Sequence, residues 1–272
     1  MTTIFSPALS LLSSLNASNG STNDLVSILY GGGATTGGDP VAALVQAEAT
    51  QTKAIATQEK DPQTKRDTDR FLAVVAKATD LKTVLADPTA RKVLLTANGL
   101  GDQTDYTALA TKALLSDTTK SGNLASTLSN TRWLSTAKTY DFANKGLSVL
   151  KDPTVLNTIT SGYAEVQWRQ SLDASTPGLS AALDFRSRAS TVKNVDQILG
   201  DANLRKVVTV ALGLPQQIAF QPLTTQEKAI TDRLDITKLK DPKFVEQFAR
   251  RFLIENSLDS TSQTGQSSGL LV

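Results

Sequence analysis

Aspartate followed by proline recurs along the chain and marks where we expect its helices to begin. Five of the nine prolines follow an aspartate, in the pairs Asp39-Pro40, Asp61-Pro62, Asp87-Pro88, Asp152-Pro153 and Asp241-Pro242. An aspartate in an extended conformation accepts hydrogen bonds from the free N–H groups of a first helical turn. Proline at the next position has no N–H group, its φ angle already suits a helix, and it disfavours helical geometry in the residue before it. Each pair therefore predicts a helix start.

Three of these caps lie in a longer phrase, and a fourth copy of the phrase has Asp201-Ala202 in place of aspartate–proline. In each copy a leucine lies two residues before the capping aspartate, at Leu85, Leu150, Leu199 and Leu239. The segments 71–100 and 185–214 also align without gaps at an offset of 114 residues. In both, the residue before the last is a glycine, Gly99 or Gly213, as is typical of a helix C-terminus. We interpret the two segments as a duplicated helix–turn–helix unit, since their spacing is too irregular for a solenoid array.

The hydrophobic pattern of the whole chain predicts helices. Apolar residues recur at helical spacing, and no convincing stretch alternates with a period of two. We therefore predict an all-α fold, an irregular multi-helix domain built around the duplicated helix–turn–helix unit. The helical body should span residues 39–256, with a last helix that ends near Asn256. We expect flexible tails on both sides, residues 1–38 with a glycine-rich linker and residues 257–272 as a disordered tail.

Composition removes most of the usual catalytic chemistry. The 272 residues include no cysteine and no histidine, which excludes thiolate nucleophiles, disulfides, imidazole bases and the common zinc ligands. The 28 basic residues nearly balance the 26 acidic ones, and this balance does not favour nucleic acid as a partner. We predict that the protein is not an enzyme, with no catalytic, cofactor-binding or metal-ligating residues, no cofactor and no nucleic-acid partner.

Two motifs have both a functional and a structural interpretation. The glycine-rich stretch 31–38 follows an apolar run, but Asp39 and Pro40 stand where a phosphate-binding loop needs lysine and serine or threonine. We interpret it as a flexible linker. Asp67 and Asp69 are spaced to bind a hard cation weakly, but the loop of oxygen ligands that forms a calcium site does not follow them.

The Arg-Lys pairs that begin at Arg91 and Arg205 suggest a site for phosphate or an acidic partner. The structural interpretation is stronger, because each arginine stands four residues after a capping aspartate, Asp87 or Asp201. That spacing places the two charges on one helix face, where an exposed ion pair contributes only about 0.3–0.5 kcal/mol. We therefore predict solvated i,i+4 ion pairs.

The N-terminal segment carries few charges. The first basic side chain is Lys53, and the 52 residues before it contain only Asp24, Asp39 and Glu48 as charged residues. Residues 5–15 are apolar enough for a short signal core, but no basic residue precedes them, which argues against a cleaved signal peptide. No run is long enough to span a membrane, so we expect no stable membrane insertion. Two interpretations of the segment remain open. It is disordered or loosely docked, or it is an uncleaved export signal or an assembly segment that folds on a partner.

Several phrases, taken together, resemble a known family. They include KRDTDRF (65–71), TDLKTVLADPTARKVLLTANGLGD (79–102), QILGDANLRKVVTVALGLP (197–215) and RLDITKLKDPKFVEQFARRFL (233–253). The chain resembles, over about residues 60–255, the bacterial family labelled domain of unknown function 1217, whose genes commonly lie among flagellar genes. The resemblance implies a helical, non-enzymatic protein associated with the flagellum and transfers no catalytic residues. The first sixty residues depart from the family pattern.

Three hypotheses about function remain open. The first is a structural or assembly protein of the bacterial flagellum, located there or exported through the flagellar apparatus, with other flagellar or export proteins as partners. The second is a cytoplasmic binding module, an export chaperone or regulator of flagellar assembly, in which the duplicated units frame a groove for a partner helix. The third is an enzyme that uses carboxylates and a bound cation. The oligomeric state does not follow from the sequence.

Overall fold

A computed structural model describes residues 39–266 of the chain, and every regular element in that range is a helix. The α-helices are α1 (Pro40–Gln58), α2 (Pro62–Lys77), α3 (Leu81–Ala86), α4 (Pro88–Ala97), α5 (Thr107–Leu114), α6 (Leu124–Thr127), α7 (Arg132–Tyr140), α8 (Phe142–Lys145), α9 (Pro153–Leu172), α10 (Leu179–Arg188), α11 (Val195–Leu199), α12 (Ala202–Ala211), α13 (Leu223–Thr231) and α14 (Pro242–Gln266). Short 3₁₀ helices occupy Gly101–Gln103, Gly146–Lys151, Ala189–Thr191, Gln216–Phe220 and Ile236–Lys240. The predicted all-α fold class is confirmed.

All five aspartate–proline pairs start a helix, as predicted. Each proline is the first residue of α1, α2, α4, α9 or α14. The aspartate side chain accepts a hydrogen bond from the first turn, for example 2.8 Å from the Thr154 N–H to Asp152 and 2.9 Å from the Lys243 N–H to Asp241. These caps satisfy N–H groups that have no acceptor inside the helix.

Two hydrophobic cores lie along the molecule, one for each half of the described chain. The first core is formed by residues 71–163, and its largest buried side chains include Phe71, Leu94, Leu95, Trp133, Phe142 and Tyr163. The second core is formed mainly by residues 168–253, with Trp168, Phe185, Val207, Phe248 and Phe252. Helix α1 also belongs to the second core, since it contributes the buried Leu44 and Ala47.

Helix α9 connects the two cores. Its first half packs against α4 and contributes Ile159 and Tyr163 to the first core, and Trp168 near its end lies in the second. Helices α1 and α10 pack against it from the second core. Because α9 has 20 residues, it is about 30 Å long at 1.5 Å per residue. That length is sufficient for one rigid element to support both cores.

The segments 71–100 and 185–214 have similar local structures. Helices α4 and α12 begin and end at positions that differ by the same 114 residues. Gly99 and Gly213 follow them with left-handed φ angles of 71° and 63°, and the N–H of the next leucine bonds back to the helix in both segments. The common ancestry of the two segments by duplication stays an interpretation of the sequence.

The last helix is longer than the sequence predicted. Helix α14 continues to Gln266, ten residues beyond the predicted end near Asn256. Residues 257–264 contain no proline or glycine that would stop a helix once it has started. The predicted helix end near Asn256 was therefore placed too early, and the disordered tail at residues 257–272 stays a prediction. The predicted N-terminal segment 1–38, including its glycine-rich linker, lies outside the described residues.

No helix in residues 39–266 combines the length and the apolarity needed to cross a membrane. The longest, α14, carries charged residues along the half that packs on the second core.

Candidate functional site

A polar cleft separates the two cores. Its volume is about 250 Å³, and its walls come from α7 on the side of the first core, from α10 and the start of α12 on the other side, and from α9 between them. Five charged side chains connect these walls, and we call them the ionic cluster: Arg132, Arg169, Arg188, Asp184 and Asp201. Asp184 and Asp201 are buried.

Arg132 crosses the cleft and contacts both buried carboxylates. Its Nη2 lies 2.7 Å from Asp184 Oδ2, and its Nε lies 2.7 Å from Asp201 Oδ2. Arg188 makes the same two contacts from α10, at 2.6 Å to Asp184 and 3.0 Å to Asp201. The guanidinium groups therefore neutralise two carboxylates that would otherwise repel each other in a region of low dielectric.

Further polar groups contact the two carboxylates of the cluster. Arg169 Nη1 lies 3.4 Å from Asp184 Oδ1, and the side-chain amide of Asn203 donates to Asp184 Oδ2 at 3.2 Å. Asp201 Oδ1 accepts the N–H groups of Asn203 and Leu204, because Asp201 is the N-cap of α12. Asp201 thus serves at once as a helix cap and as an ion-pair partner.

The electrostatics of the cluster keep both carboxyl groups ionised. Burial of Asp184 opposes its ionisation, but the attraction of Arg132 and Arg188 outweighs burial and lowers its pKa to about 2. The pKa of Asp201 is lowered by the same balance, with further help from the Leu204 N–H. Burial also disfavours the charged form of Arg188. The attraction of Asp184 and Asp201 is stronger than this effect of burial, so the pKa of Arg188 is raised. Neither carboxyl group holds a proton near neutral pH, as a general acid must.

The cluster is a poor fit for a metal ion. Arginine guanidinium groups already occupy the side of Asp184 and Asp201 on which a cation would bind. Within the described residues, no group of three or more aspartate or glutamate side chains is placed to hold an ion.

Two glycines allow the walls of the cleft to approach closely. A Cβ atom on Gly99 would lie 1.3 Å from Arg132 Nη1, so only glycine leaves room for the guanidinium group at that position. A Cβ atom on Gly200 would lie 2.5 Å from the backbone oxygen of Ser129. The loop before α7 and the turn before α12 are therefore in direct backbone contact.

Asp67 and Asp69 point in different directions, so the weak cation site considered from the sequence does not form. Asp67 is buried and accepts hydrogen bonds from Tyr163 Oη at 2.5 Å and from Lys92 Nζ at 2.9 Å. Asp69 faces outwards and pairs with Lys65 at 2.9 Å. Burial, together with the bond to Asp67, raises the pKa of Tyr163 to about 12, so the phenol stays protonated. The contact links α2, α4 and α9.

The predicted i,i+4 pairs of Arg91 and Arg205 are wrong. Arg91 donates instead to the backbone oxygens of Leu85 and Thr104, each at 2.7 Å. Arg205 reaches the oxygen of Leu199, the residue equivalent to Leu85, at 3.4 Å. The last carbonyl oxygens of a helix have no N–H donor inside that helix. Arg91 and Arg205 supply a donor to the oxygens of Leu85 and Leu199.

The capping aspartates pair with other arginines. Asp87 binds Arg70 at 2.6 Å, whereas Asp201 binds Arg132 and Arg188. The position equivalent to Arg70 at the offset of 114 is Asp184. In the second segment a carboxylate therefore replaces the cation, and arginines from elsewhere must neutralise both acids. The ionic cluster was not predicted from the sequence. The change of charge from Arg70 to Asp184 is the signal in the sequence that could have predicted it.

Comparison with known proteins places the chain beside others of the same fold. A family described as "Protein of unknown function (DUF1217)" matches residues 97–245. The crystal structure of protein AGR_C_984 from Agrobacterium tumefaciens is similar, with a TM-score of 0.66 and 22% sequence identity over 84% of this chain and 98% of that chain. At this identity the likeness shows the fold alone. A comparison with curated proteins gave no match.

Proposed function

The chain belongs to the DUF1217 family of proteins of unknown function, whose pattern spans more than half of it, and on this basis we propose that it is a non-enzymatic structural or assembly protein of the bacterial flagellum. The resemblance of its motifs to a family encoded among flagellar genes motivates the flagellar assignment. Other flagellar or export proteins are its proposed partners.

The observation that carries the proposal is the charge pattern of the first 52 residues. They contain no lysine or arginine and only three acidic residues, and the first helix of the body, α1, begins within them at Pro40. A weakly charged segment of this kind suits an uncleaved export signal or a segment that orders on a partner. The absence of cysteine and the low aromatic content of 5% are further features that exported axial proteins of the flagellum share.

The ionic cluster supports the non-enzymatic part of the proposal. Its carboxylates are paired with arginines at 2.6–3.0 Å, and the pKa values of both are lowered. An acid–base site needs one group whose pKa lies near the working pH. Charges that are paired in this way contribute to the fold and leave no group free for proton transfer.

Deletion of residues 2–38 tests the proposal in the source cell. We expect the truncated protein to be lost from the culture supernatant or from isolated flagella, with reduced swimming motility. A variant that lacks only residues 31–38 is the matched control, and it should keep export because it retains the apolar run at residues 5–15. Unchanged motility, together with a full-length protein found only in the cytoplasm, would exclude the proposal.

The second candidate is a cytoplasmic binding module, an export chaperone or regulator of flagellar assembly. It is favoured by one observation: Phe220 is 87% exposed and directly follows Ala219, which lines a groove of about 550 Å³. A large exposed aromatic side chain next to a groove is typical of a protein-binding surface. Pull-down with flagellar export substrates distinguishes the two candidates, since the second requires a stoichiometric complex inside the cell and no secretion.

A further inference from the structure

A groove on the second core has an apolar wall and a basic rim. We call it the α12–α13 groove; it lies between α12, the 3₁₀ helix Gln216–Phe220, α13 and Asn256 in the middle of α14. Val210, Ile218 and Ala219 form its apolar wall, and the exposed Arg205 and Lys206 lie on the α12 side. Its volume of about 550 Å³ falls within the range of pockets that hold a ligand or several side chains.

Two large apolar residues that follow the groove-lining Ala219 closely in sequence are exposed to solvent. Phe220 is 87% exposed and Leu223 is 55% exposed, although both stand next to a well-packed core. Proline at position 222 separates them and ends the 3₁₀ helix, so the chain presents both on one short turn. Exposure of this apolar area is unfavourable in water and becomes favourable when a partner covers it.

The charge of the α12–α13 groove has one sign. Arg205 and Lys206 line it, and none of its lining residues is acidic. Nearby carboxylates have other partners: Asp201 binds Arg132 and Arg188, and Asp232 binds Lys228 at 2.9 Å. Glu227 lies close to Asp196 on α11, and this neighbouring carboxyl group raises the pKa of Glu227. Arg205 and Lys206 are therefore the charged side chains that line the groove itself.

We propose that the α12–α13 groove binds an acidic amphipathic helix of a partner protein. Apolar side chains at i, i+3, i+4 and i+7 spacing cover Ile218, Phe220 and Leu223, and carboxylates at the edge of the helix face Arg205 and Lys206. Burial of the apolar surface of Phe220 supplies most of the affinity, and the two cations favour a partner with negative charge. This inference deepens the second candidate function and rests on it.

Fluorescence anisotropy with two helical probes tests the inference on the full chain. The first probe is a labelled 16-residue peptide with leucine on one face at the spacing above and glutamate at the edges of that face. The second has lysine in place of every glutamate. We expect the glutamate probe to bind at least tenfold more tightly at low salt, and the difference should shrink as salt screens the rim charges. Equal affinities would overturn the inference.

Single substitutions locate the binding. Phe220→Ser should weaken the glutamate probe at least tenfold, and Lys206→Glu should abolish the preference between the probes. Tyr106→Ser is the matched control, since Tyr106 is also exposed, at 58%, but belongs to the side of the first core. All three side chains are exposed, so circular dichroism should show an unchanged fold. Undiminished binding by Phe220→Ser contradicts the assignment.

Two other occupants are outcomes of the same experiment. If a peptide of residues 1–38 displaces the glutamate probe at a lower concentration than the unlabelled probe does, the groove is filled by this chain itself. If sedimentation shows a dimer that Phe220→Ser dissociates, it is filled by a second copy. Either result overturns the inference. Neither result decides the pull-down with flagellar export substrates, which tests the second candidate itself, so the inference and that candidate fail separately.

Discussion

Arg132 is the side chain on which the ionic cluster depends most, because it carries a positive charge from the first core to both buried carboxylates of the second. Its side chain is 11% exposed, and those of Asp184 and Asp201 are 8% and 6% exposed. The equivalent contact in the first segment, Arg70 with Asp87, involves an arginine that is 60% exposed. Removal of one partner from a buried pair leaves an uncompensated charge, whereas an exposed pair contributes little.

Arg132→Ala should therefore lower the free energy of unfolding by about 3–5 kcal/mol, the usual cost of breaking a buried ion pair. Arg70→Ala is the matched control and should cost less than about 1 kcal/mol, because water screens that pair. Urea denaturation followed by circular dichroism measures both. Similar losses for the two variants would contradict the structural role of the cluster.

Acid should weaken the protein through Asp184. Its pKa is lowered to about 2 in the folded chain and is about 3.9 when the chain is unfolded. The stabilisation is present above about pH 4 and is lost as the pH falls through the folded pKa, with a total of about 2–3 kcal/mol. Urea midpoints between pH 5 and pH 2 measure the loss. Asp184→Asn, which has no carboxyl group to titrate, should show a shallower decline.

Sequence reasoning at this scale succeeded for the caps and failed for the arginine partners. The capping role of an aspartate depends on its next three residues, which the sequence displays. The partner of Arg91 depends on where the oxygens of Leu85 and Thr104 lie, and that is set by tertiary packing. The sequence shows that Asp184 stands at the position equivalent to Arg70. It does not show that Arg132, 52 residues before Asp184, neutralises this carboxylate.

The turns after α4 and α12 allow a comparison between elements of similar local structure. Gly99 and Gly213 have left-handed φ angles, so alanine at either position brings backbone strain. A Cβ atom on Gly99 would also collide with Arg132, whereas nothing lies within 4 Å of one on Gly213. The two turns thus differ only in what faces them.

Gly213→Ala should cost about 1–2 kcal/mol, the strain of a left-handed residue with a side chain. Gly99→Ala should cost more, because the same strain is added to the displacement of Arg132 from its carboxylates. Thermal unfolding of the two variants in parallel measures the difference. In the Arg132→Ala background the two substitutions should have nearly equal effects, and a persistent difference there would contradict the explanation.

Helix boundaries were predictable at the N-terminal ends and less so at the C-terminal ends. An aspartate–proline pair marks a start by strong local chemistry. The end of α14 has no comparable signal, since the serine- and threonine-rich residues after Asn256 neither favour a helix strongly nor stop one.

The molecule as a whole consists of two cores joined by α9 and by the ionic cluster. The hydrophobic pattern predicted the helices but not their division into two cores. The pattern shows which face of a helix is buried, but it does not show which other helix that face packs against. The place of α1 illustrates the limit: it is the first described helix, yet its Leu44 and Ala47 pack in the second core. Non-local packing of this kind is not encoded in any short stretch of sequence.

The two tryptophans report on the two cores separately. Trp133 is buried in the first core and Trp168 in the second. We expect Trp168→Phe and Trp133→Phe variants, each with one remaining tryptophan, to show coincident urea transitions, since α9 and the cluster couple the cores. Arg132→Ala added to each should separate the transitions. Separate transitions with Arg132 intact would show that the cluster does not couple the cores.

Assembly or structural work at the flagellum is the central claim for the whole chain, and its location in the cell tests it most directly. The measurement is a quantitative blot of full-length protein in cytoplasm, purified flagella and culture supernatant, from cells with and without a working flagellar export apparatus. The account predicts a fraction with flagella or in the supernatant that disappears when export is blocked. Protein found only in the cytoplasm of both strains, outside any complex with flagellar proteins, would contradict it.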